Sequence, residues 1–191
     1  MKTKTKRAEG RAPTLSRRER PAAGPDVNLA AANVPITQSV RIKSILVPID
    51  FSEYSKKALR YAVRFAEEFG SSITLLHVVE RVIQPPEGYG ALEVPAFDLG
   101  LLQKHAAAKL SSLAQEEIDE LVPVKTLVRS GAGYNEIVTV AKEEGTDLII
   151  IATHGRTGLK HLLLGSTAER VVRHAPCPVL TVREREHDFV K

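Results

Sequence analysis

The chain has 191 residues, 43% of them hydrophobic and 26% charged, which is ordinary for a globular protein with one substantial core and an extension. Its net charge of +4 arises in residues 1–40, which hold eight Lys and Arg but three Asp and Glu, so the remaining composition gives no reason to expect a nucleic-acid-binding domain. The single cysteine excludes an intrachain disulfide and a cysteine metal cluster, and no apolar run approaches the roughly 18 residues of a membrane-spanning helix.

The chain begins with a segment that is poor in large apolar residues. Residues 1–38 are rich in Lys, Arg, Ala and Pro, and they cannot bury enough surface to offset the entropy of an ordered chain. We therefore predict a disordered basic extension over residues 1–40, a folded domain over 41–186 and a short tail over 187–191. Contacts with nucleic acid are expected only as weak contacts of the basic extension.

From residue 41 onward, strand and helix patterns alternate. Short apolar runs predict strands, and longer stretches with apolar residues at helical spacing predict helices, several of them closed by glycine. The predicted strands are 44–49, 73–78, 124–128, 148–152 and 179–182, and the predicted helices are 52–69, 97–121, 134–144 and 165–174. This alternation is typical of an α/β protein with a parallel sheet and helices on both faces.

Right-handed crossovers and one reversal of direction after the third strand predict a single doubly wound, Rossmann-like sheet of five strands in the order 3-2-1-4-5. In such sheets, ligands bind at the carboxyl ends of the strands that flank the reversal. These ends carry Pro48, Ile49 and Asp50 on the first strand and residues 152–155 on the fourth. The topology therefore predicts a binding crevice between strands one and four.

A glycine-rich segment follows the fourth strand. Thr153-His154-Gly155 continues into Arg156-Thr157-Gly158, and a second glycine turn, Gly165-Ser166, opens a helix at Thr167-Ala168. Glycine lets the backbone approach a ligand closely, Ser166 is a favourable N-cap, and a helix N-terminus attracts anions. The segment therefore predicts a phosphate-binding cradle.

Several motifs in this order resemble the universal stress protein family, in its ATP-binding branch. That branch carries Gly-x-x-Gly, nine residues, then Gly-Ser or Gly-Thr; here Ala152 replaces the first glycine, and Gly155 and Gly165-Ser166 match at the right spacing. The segments ILVPIDFS at 45–52, LLHV at 75–78 and HAPCPVL at 174–180 also resemble the family. The resemblance covers roughly residues 41–185.

The resemblance implies a module that binds ATP, or AMP or ADP, together with Mg²⁺, in a stress response, and that hydrolyses ATP slowly or not at all. It places Asp50 near the ribose and the metal-bound phosphates, although an Asp that caps the following helix is an alternative. It assigns the backbone of Val78 to the adenine edge. The implied nucleotide-binding residues are Pro48, Ile49, Asp50, Val78, Ala152, Thr153, His154, Gly155, Arg156, Thr157, Gly158, Gly165, Ser166, Thr167 and Ala168.

Two questions about this site stay open at the level of sequence. If the position of Ala152 requires positive φ, alanine costs roughly 1 kcal/mol, whereas a requirement for close approach alone would tolerate one methyl group. If the methyl group closes the crevice, the chain is a nucleotide-free dimeric scaffold.

Other enzyme classes receive little support. The chain has no Gly-x-x-x-x-Gly-Lys-Ser/Thr loop and no Gly-x-Ser-x-Gly elbow. A nucleotidyl transferase or ATP pyrophosphatase of related fold would carry a Ser- and Gly-rich loop after the first strand, where this chain has Asp50-Phe51-Ser52-Glu53-Tyr54. We therefore predict a binding protein and name no catalytic residue.

The fifth predicted strand indicates how the protein assembles, and the first residues bear on its location in the cell. Val179-Leu180-Thr181-Val182 would be an exposed apolar edge strand, and the resemblance also implies a homodimer paired through it. We predict a cytoplasmic protein, in keeping with the lone Cys177. The sequence Ser16-Arg17-Arg18 resembles an export signal but lacks a following apolar segment, and an organellar transit peptide stays an alternative.

Overall fold

The computed structural model describes residues 40–80, 98–155 and 165–184. The predicted extension up to residue 39, the segments 81–97 and 156–164 and the predicted tail lie outside the described residues. In chain order the elements are β1 (Ser44–Pro48), α1 (Glu53–Phe69), β2 (Ser72–Val79), α2 (Leu99–Glu117), β3 (Val124–Ser130), α3 (Gly133–Glu143), β4 (Leu148–Ala152), α4 (Ser166–His174) and β5 (Val179–Val182).

The five strands form one parallel sheet in the order β3-β2-β1-β4-β5, which confirms the predicted topology. Leu46 of β1 pairs with Thr74 of β2 on one side and Ile149 of β4 on the other. All five residues of β4 are buried, as expected of a continuous apolar strand covered on both faces. The order in which successive strands join the sheet reverses between β1 and β4, which leaves a crevice where the carboxyl ends of these two parallel strands lie side by side.

The helices cover the sheet in two layers, which confirms helices on both faces. Leu148, Ile150 and Ala152 of β4 pack in the core cluster that also holds buried residues of α1 and α2. Ile149 and Ile151 point the other way, into the cluster formed with α3 and α4. This alternation follows from the two-residue period of a strand and gives each face its own apolar core.

Element boundaries differ from the predictions at a few ends. Helix α2 was expected over 97–121, but it ends at Glu117 because Ile118 adopts extended backbone angles, φ −122° and ψ 128°. Helix α1 ends as expected at Gly70, whose φ of 65° is the left-handed conformation that favours glycine. No helix in residues 40–80, 98–155 and 165–184 combines the length and apolar character needed to cross a bilayer.

Cys177 lies between α4 and β5 and packs against the cluster on the α3 and α4 face. Burial and the nearby charge of Asp147 raise the pKa of its thiol above the ordinary value, partly offset by a backbone hydrogen bond from Ile149. A raised pKa disfavours the reactive thiolate, which agrees with the packing contact that the Cys177 side chain makes.

Candidate functional site

A cavity of about 670 Å³ opens at the carboxyl ends of β1, β2 and β4. Every predicted site residue that the structure describes lines it, which brings together four separate segments of the chain: Pro48, Ile49, Asp50, Val78, Ala152, Thr153, His154, Gly155, Gly165, Ser166, Thr167 and Ala168. Arg156, Thr157 and Gly158 lie outside the described residues. The cavity lies where the reversal of the sheet predicts a crevice.

Asp50 connects the end of β1 with the start of α1. Its Oδ1 accepts hydrogen bonds from the backbone N of Ser52 at 3.0 Å and from Oγ of Ser52 at 2.6 Å. Ser52, and not Asp50, is the N-cap of α1, because its Oγ accepts from the backbone N of Ser55 at 3.2 Å. The alternative in which Asp50 caps this helix is therefore wrong; Asp50 orients the residue that does.

The other carboxylate oxygen of Asp50 faces the glycine-rich segment. A Cβ atom on Gly155 would lie 2.8 Å from Oδ2 of Asp50, closer than such contacts normally allow. The glycine therefore lets the segment after β4 approach the carboxylate at the end of β1, and the two strand ends meet at one point of the cavity.

The start of α4 differs from the prediction by one residue. The N-cap is Gly165, with φ −67° and ψ 150°, and Ser166 is the first helical residue instead of the cap. The backbone N of Gly165 donates to the carbonyl of Thr153 at 2.7 Å, which fixes Gly165 in its extended conformation just before the helix. In the described part of the chain, no side chain caps α4, so its first N–H groups face the cavity without such a partner.

A steric contact requires glycine at position 165. A Cβ atom there would lie 2.8 Å from the carbonyl oxygen of Thr153, a backbone atom that cannot easily move. Thr153 is itself 2% exposed, and its N donates to the carbonyl of Val182 at 2.9 Å. The glycine turn is thus held tightly against the end of β4.

Ala152 occupies an ordinary strand position. Among the described residues other than glycine, positive φ occurs at Phe51 and not at Ala152. Its methyl group packs in the core cluster on the α1 and α2 face, and the cavity remains open beside it. Of the two possibilities for this position, the requirement for positive φ does not hold in this chain.

Phe51 is a wall residue that sequence reasoning did not identify. Its φ of 64° is rare for a bulky residue and costs of order 1–3 kcal/mol, so the surrounding packing must hold it. Its ring lies 4.6 Å from the ring of His77 and 4.4 Å from the ammonium of Lys109. Nδ1 of His77 is 2.6 Å from the carbonyl oxygen of Ile49, which ties this stack to β1.

Helix α2 also contributes to the wall, which the predictions missed. Leu102, His105, Ala106 and Lys109 line the cavity at spacings of three, four and seven residues, so they share one face of the helix. This spacing was the available sequence signal. Glu80, at the end of β2, is a further wall residue that was missed.

His154 lies beside the cavity in contact with two neighbours. Its Nδ1 is 3.0 Å from Oγ1 of Thr153, and its ring centroid is 6.1 Å from that of Tyr54 in the first turn of α1. The side chain therefore links the end of β4 with α1 while remaining partly exposed to the cavity.

The residues of the cavity suit a metal that arrives with its ligand. Asp50 supplies carboxylate oxygens, which Mg²⁺ prefers, but no group of three or more His, Cys, Asp or Glu side chains in residues 40–80, 98–155 and 165–184 could enclose an ion. Mg²⁺ usually binds one or two carboxylates together with substrate phosphates. The site therefore fits Mg²⁺ bound through phosphates better than a metal cage made of protein alone.

Comparison with known proteins places these features in a family. The sequence model of the universal stress protein family matches residues 41–183. Universal stress protein MJ0577 of Methanocaldococcus jannaschii is 35% identical over 159 residues, covering 77% of this chain and 98% of the relative. Universal stress protein YxiE of Bacillus subtilis is 35% identical over 144 residues, covering 73% and 97%.

Solved structures agree. The structure of the Methanocaldococcus jannaschii protein matches with a TM-score of 0.64 at 33% identity, over 77% of this chain and 99% of that one. A universal stress protein solved in complex with cAMP matches with a TM-score of 0.55 at 19% identity, over 75% and 98%, which supports the fold. By sequence model, relatives and fold, the chain belongs to the universal stress protein family.

Proposed function

We propose that this protein binds an adenine nucleotide, ATP or AMP, in the cavity between β1 and β4, and that binding serves a stress response. The observation that carries the proposal is the convergence of Asp50, Gly155 and the uncapped start of α4 on one cavity. Its volume of about 670 Å³ lies within the usual range for small-molecule sites.

The phosphates are assigned to the start of α4. The N–H groups of Ser166, Thr167 and Ala168 belong to the first turn of a nine-residue helix, where the helix dipole favours negative charge. The close contact between Gly165 and Thr153 holds this turn in place before any ligand arrives, so little reorganisation is needed on binding.

The sugar and base are assigned to the other side of the cavity. Asp50 would accept from the ribose hydroxyls or join Mg²⁺ to the phosphates, with its carboxylate already oriented by Ser52. The backbone of Val78, at the end of β2, would recognise the adenine edge. A universal stress protein of the same fold has been solved with cAMP, which is support from that relative for an adenine nucleotide in this fold.

We further propose that the bound nucleotide acts as a signal and is hydrolysed slowly or not at all. In this reading the nucleotide alters the affinity for a protein partner by favouring one conformation. The open cavity beside Ala152 favours this function over a nucleotide-free scaffold. Release of inorganic phosphate from ATP, followed over hours with purified protein, tests the rate.

Calorimetry on nucleotide-stripped protein tests binding directly. We expect saturable heat with ATP and Mg²⁺, and weaker binding in the Asp50→Asn variant, which keeps an oxygen for Ser52 but loses the charge. Glu53→Gln is the matched control, since Glu53 is an exposed acid of the first turn of α1 and does not line the cavity. Absence of heat or thermal stabilisation at millimolar ATP would refute the site.

We also propose a homodimer formed through β5. The sheet order leaves this strand at an edge, and Val179, Leu180 and Thr181 are each half-buried within one chain. Pairing two such edges about a two-fold axis would protect both. Sedimentation of wild type should show dimers at micromolar concentration, Leu180→Asp should shift it to monomer, and Val124→Asp on the opposite edge strand should not. A wild-type monomer would contradict the proposal.

A further inference from the structure

Glu80 lies beside the starts of two helices. A Cβ atom on Gly133 would be 3.0 Å from Oε1 of Glu80 and 3.6 Å from Cγ2 of Thr167. Gly133 is the first residue of α3, and Thr167 lies in the first turn of α4. The carboxylate at the end of β2 is therefore a close neighbour of the helix turn to which we assign the phosphates.

The start of α3 explains why an acidic side chain is stable there. The N-cap of α3 is Ala132, whose side chain cannot accept a hydrogen bond, so the first turn of this helix lacks a side-chain cap. A carboxylate near a helix N-terminus is stabilised by the helix dipole. Glu80 therefore adds a second negative charge at the start of α3, beside Glu136 in the first turn of the helix.

Within the described residues, no side-chain cation forms an ion pair with Glu80. Across residues 40–80, 98–155 and 165–184, the ion pairs involve other acids, and none includes Glu80. Lys109 of α2 is a cation of the cavity wall, and its ammonium group lies against the ring of Phe51. Helices α3 and α4 pack on the opposite face of the sheet from α2. As far as the described part of the chain is concerned, the charge of Glu80 is therefore left to act on a ligand.

We propose that Glu80 makes this cavity select the magnesium complex of a nucleoside polyphosphate over the metal-free nucleotide, an inference that rests on the proposed function. Phosphates at the start of α4 face the carboxylate across Gly133, and the repulsion grows with the charge of the ligand. Mg²⁺ cancels a large part of the charge of a polyphosphate before it binds. The metal-free nucleotide is therefore penalised more strongly than its magnesium complex.

Calorimetric titrations of the full, nucleotide-stripped chain test this selection. Wild type and Glu80→Gln are titrated with ATP in excess EDTA and in excess Mg²⁺. We expect the substitution to tighten binding of metal-free ATP by about five- to tenfold and binding of the magnesium complex by about twofold or less. The ratio of the two affinities should therefore shrink in the variant.

Glu169→Gln is the matched control. Glu169 is an acid in the first turn of α4 that does not line the cavity, and its Oε1 lies 2.9 Å from Nη2 of Arg173. We expect it to leave the ratio unchanged. A thermal melt of each variant checks that it is folded before titration.

Three results would overturn the inference. An equal change in both affinities would show that Glu80 does not select between the two forms. Weaker binding of the magnesium complex in Glu80→Gln would assign Glu80 as a metal ligand instead of a repulsive charge. Wild type that binds neither form would refute the nucleotide site itself, a failure visible without any variant.

Discussion

Helices α1 and α4 both begin at the cavity, and their starts are built differently. In α1, the Ser52 hydroxyl accepts from the backbone N of Ser55, and Asp50 in turn accepts from Ser52. In α4, the cap is Gly165, and in the described part of the chain no side chain bonds to its first N–H groups. One start is satisfied by its own side chains and the other leaves donors facing the cavity.

This difference separates the framework of the cavity from its binding surface. The capped start of α1 holds Asp50 in one orientation, with Oδ2 turned toward Gly155. The start of α4, which has no side-chain cap, is positioned by the backbone contact between Gly165 and Thr153 and by the buried side chain of Ala168. A ligand anion would therefore complete α4, whereas α1 is complete without one.

Placing a side chain on Gly165 should break the α4 start most severely. Valine there would meet the carbonyl of Thr153, a backbone neighbour 2.8 Å from the Cβ position, so we expect a stability loss of about 1–3 kcal/mol. The turn would move out of place, and ATP affinity should fall at least tenfold, or about 1.4 kcal/mol. Chemical denaturation and calorimetry measure the two effects.

Gly133→Ala is the control for that substitution. Its Cβ would be 3.0 Å from Oε1 of Glu80, the far end of a flexible side chain on the surface, which can move. Gly133 also has ordinary helical angles, for which alanine is the better residue. We expect wild-type stability or better. Equal losses in both variants would show that the contact with Thr153 is not what requires glycine at 165.

Two serine substitutions compare the helix starts directly. Ser52→Ala removes a cap and leaves the backbone N of Ser55 without its partner, so it should cost about 1 kcal/mol of stability. Ser166→Ala removes no capping bond and should change stability by less than about 0.5 kcal/mol. Urea denaturation of both variants measures these changes in the free energy of unfolding. A larger loss of stability in Ser166→Ala than in Ser52→Ala would mean that α4, too, is capped by its own serine.

The ATP affinities of the same two serine variants should also differ. Ser52→Ala removes one of the two donors to Asp50, the hydroxyl, and keeps the backbone N–H, so the carboxylate is held less firmly and ATP affinity should fall by a few-fold. The first-turn N–H groups of α4 remain in Ser166→Ala, so its affinity should change less. If Ser166→Ala weakens binding more, the hydroxyl itself, and not the helix backbone, is the main phosphate donor.

The sheet was largely predictable because its signals are local. The apolar run Leu148–Ala152 and the run Val179–Val182 match β4 and β5 residue for residue, and the rules of crossover handedness supply the strand order. The cavity followed from the topology, which brings the carboxyl ends of β1 and β4 together. The glycine spacing then indicated which loop lines it.

The missed wall residues depend on contacts between distant elements. Phe51 adopts positive φ because the packing of its ring against His77 and Lys109 outweighs its backbone preference, which no local pattern reports. Glu80 matters only because α3 and α4 begin beside it. The N-cap of α4 was predicted at Ser166 but is Gly165. Both residue types suit an N-cap, and the hydrogen bond from Gly165 to Thr153 determines which of them takes the position.

Ala152 offers the smallest expected effect, at the end of the strand that leads toward α4. Alanine has no positive φ here, and its methyl group packs on the α1 and α2 face, so glycine should lose about 0.5–1 kcal/mol of stability through chain entropy and lost contacts. The α4 start, where the phosphates are proposed to bind, is unaffected by this methyl group, so ATP affinity in Ala152→Gly should stay within about twofold of wild type or improve slightly. Denaturation and calorimetry on one preparation give both numbers. A gain of tenfold or more in affinity would show that the methyl group narrows the cavity for the ligand, and that the β4 end, like the α4 start, belongs to the binding surface.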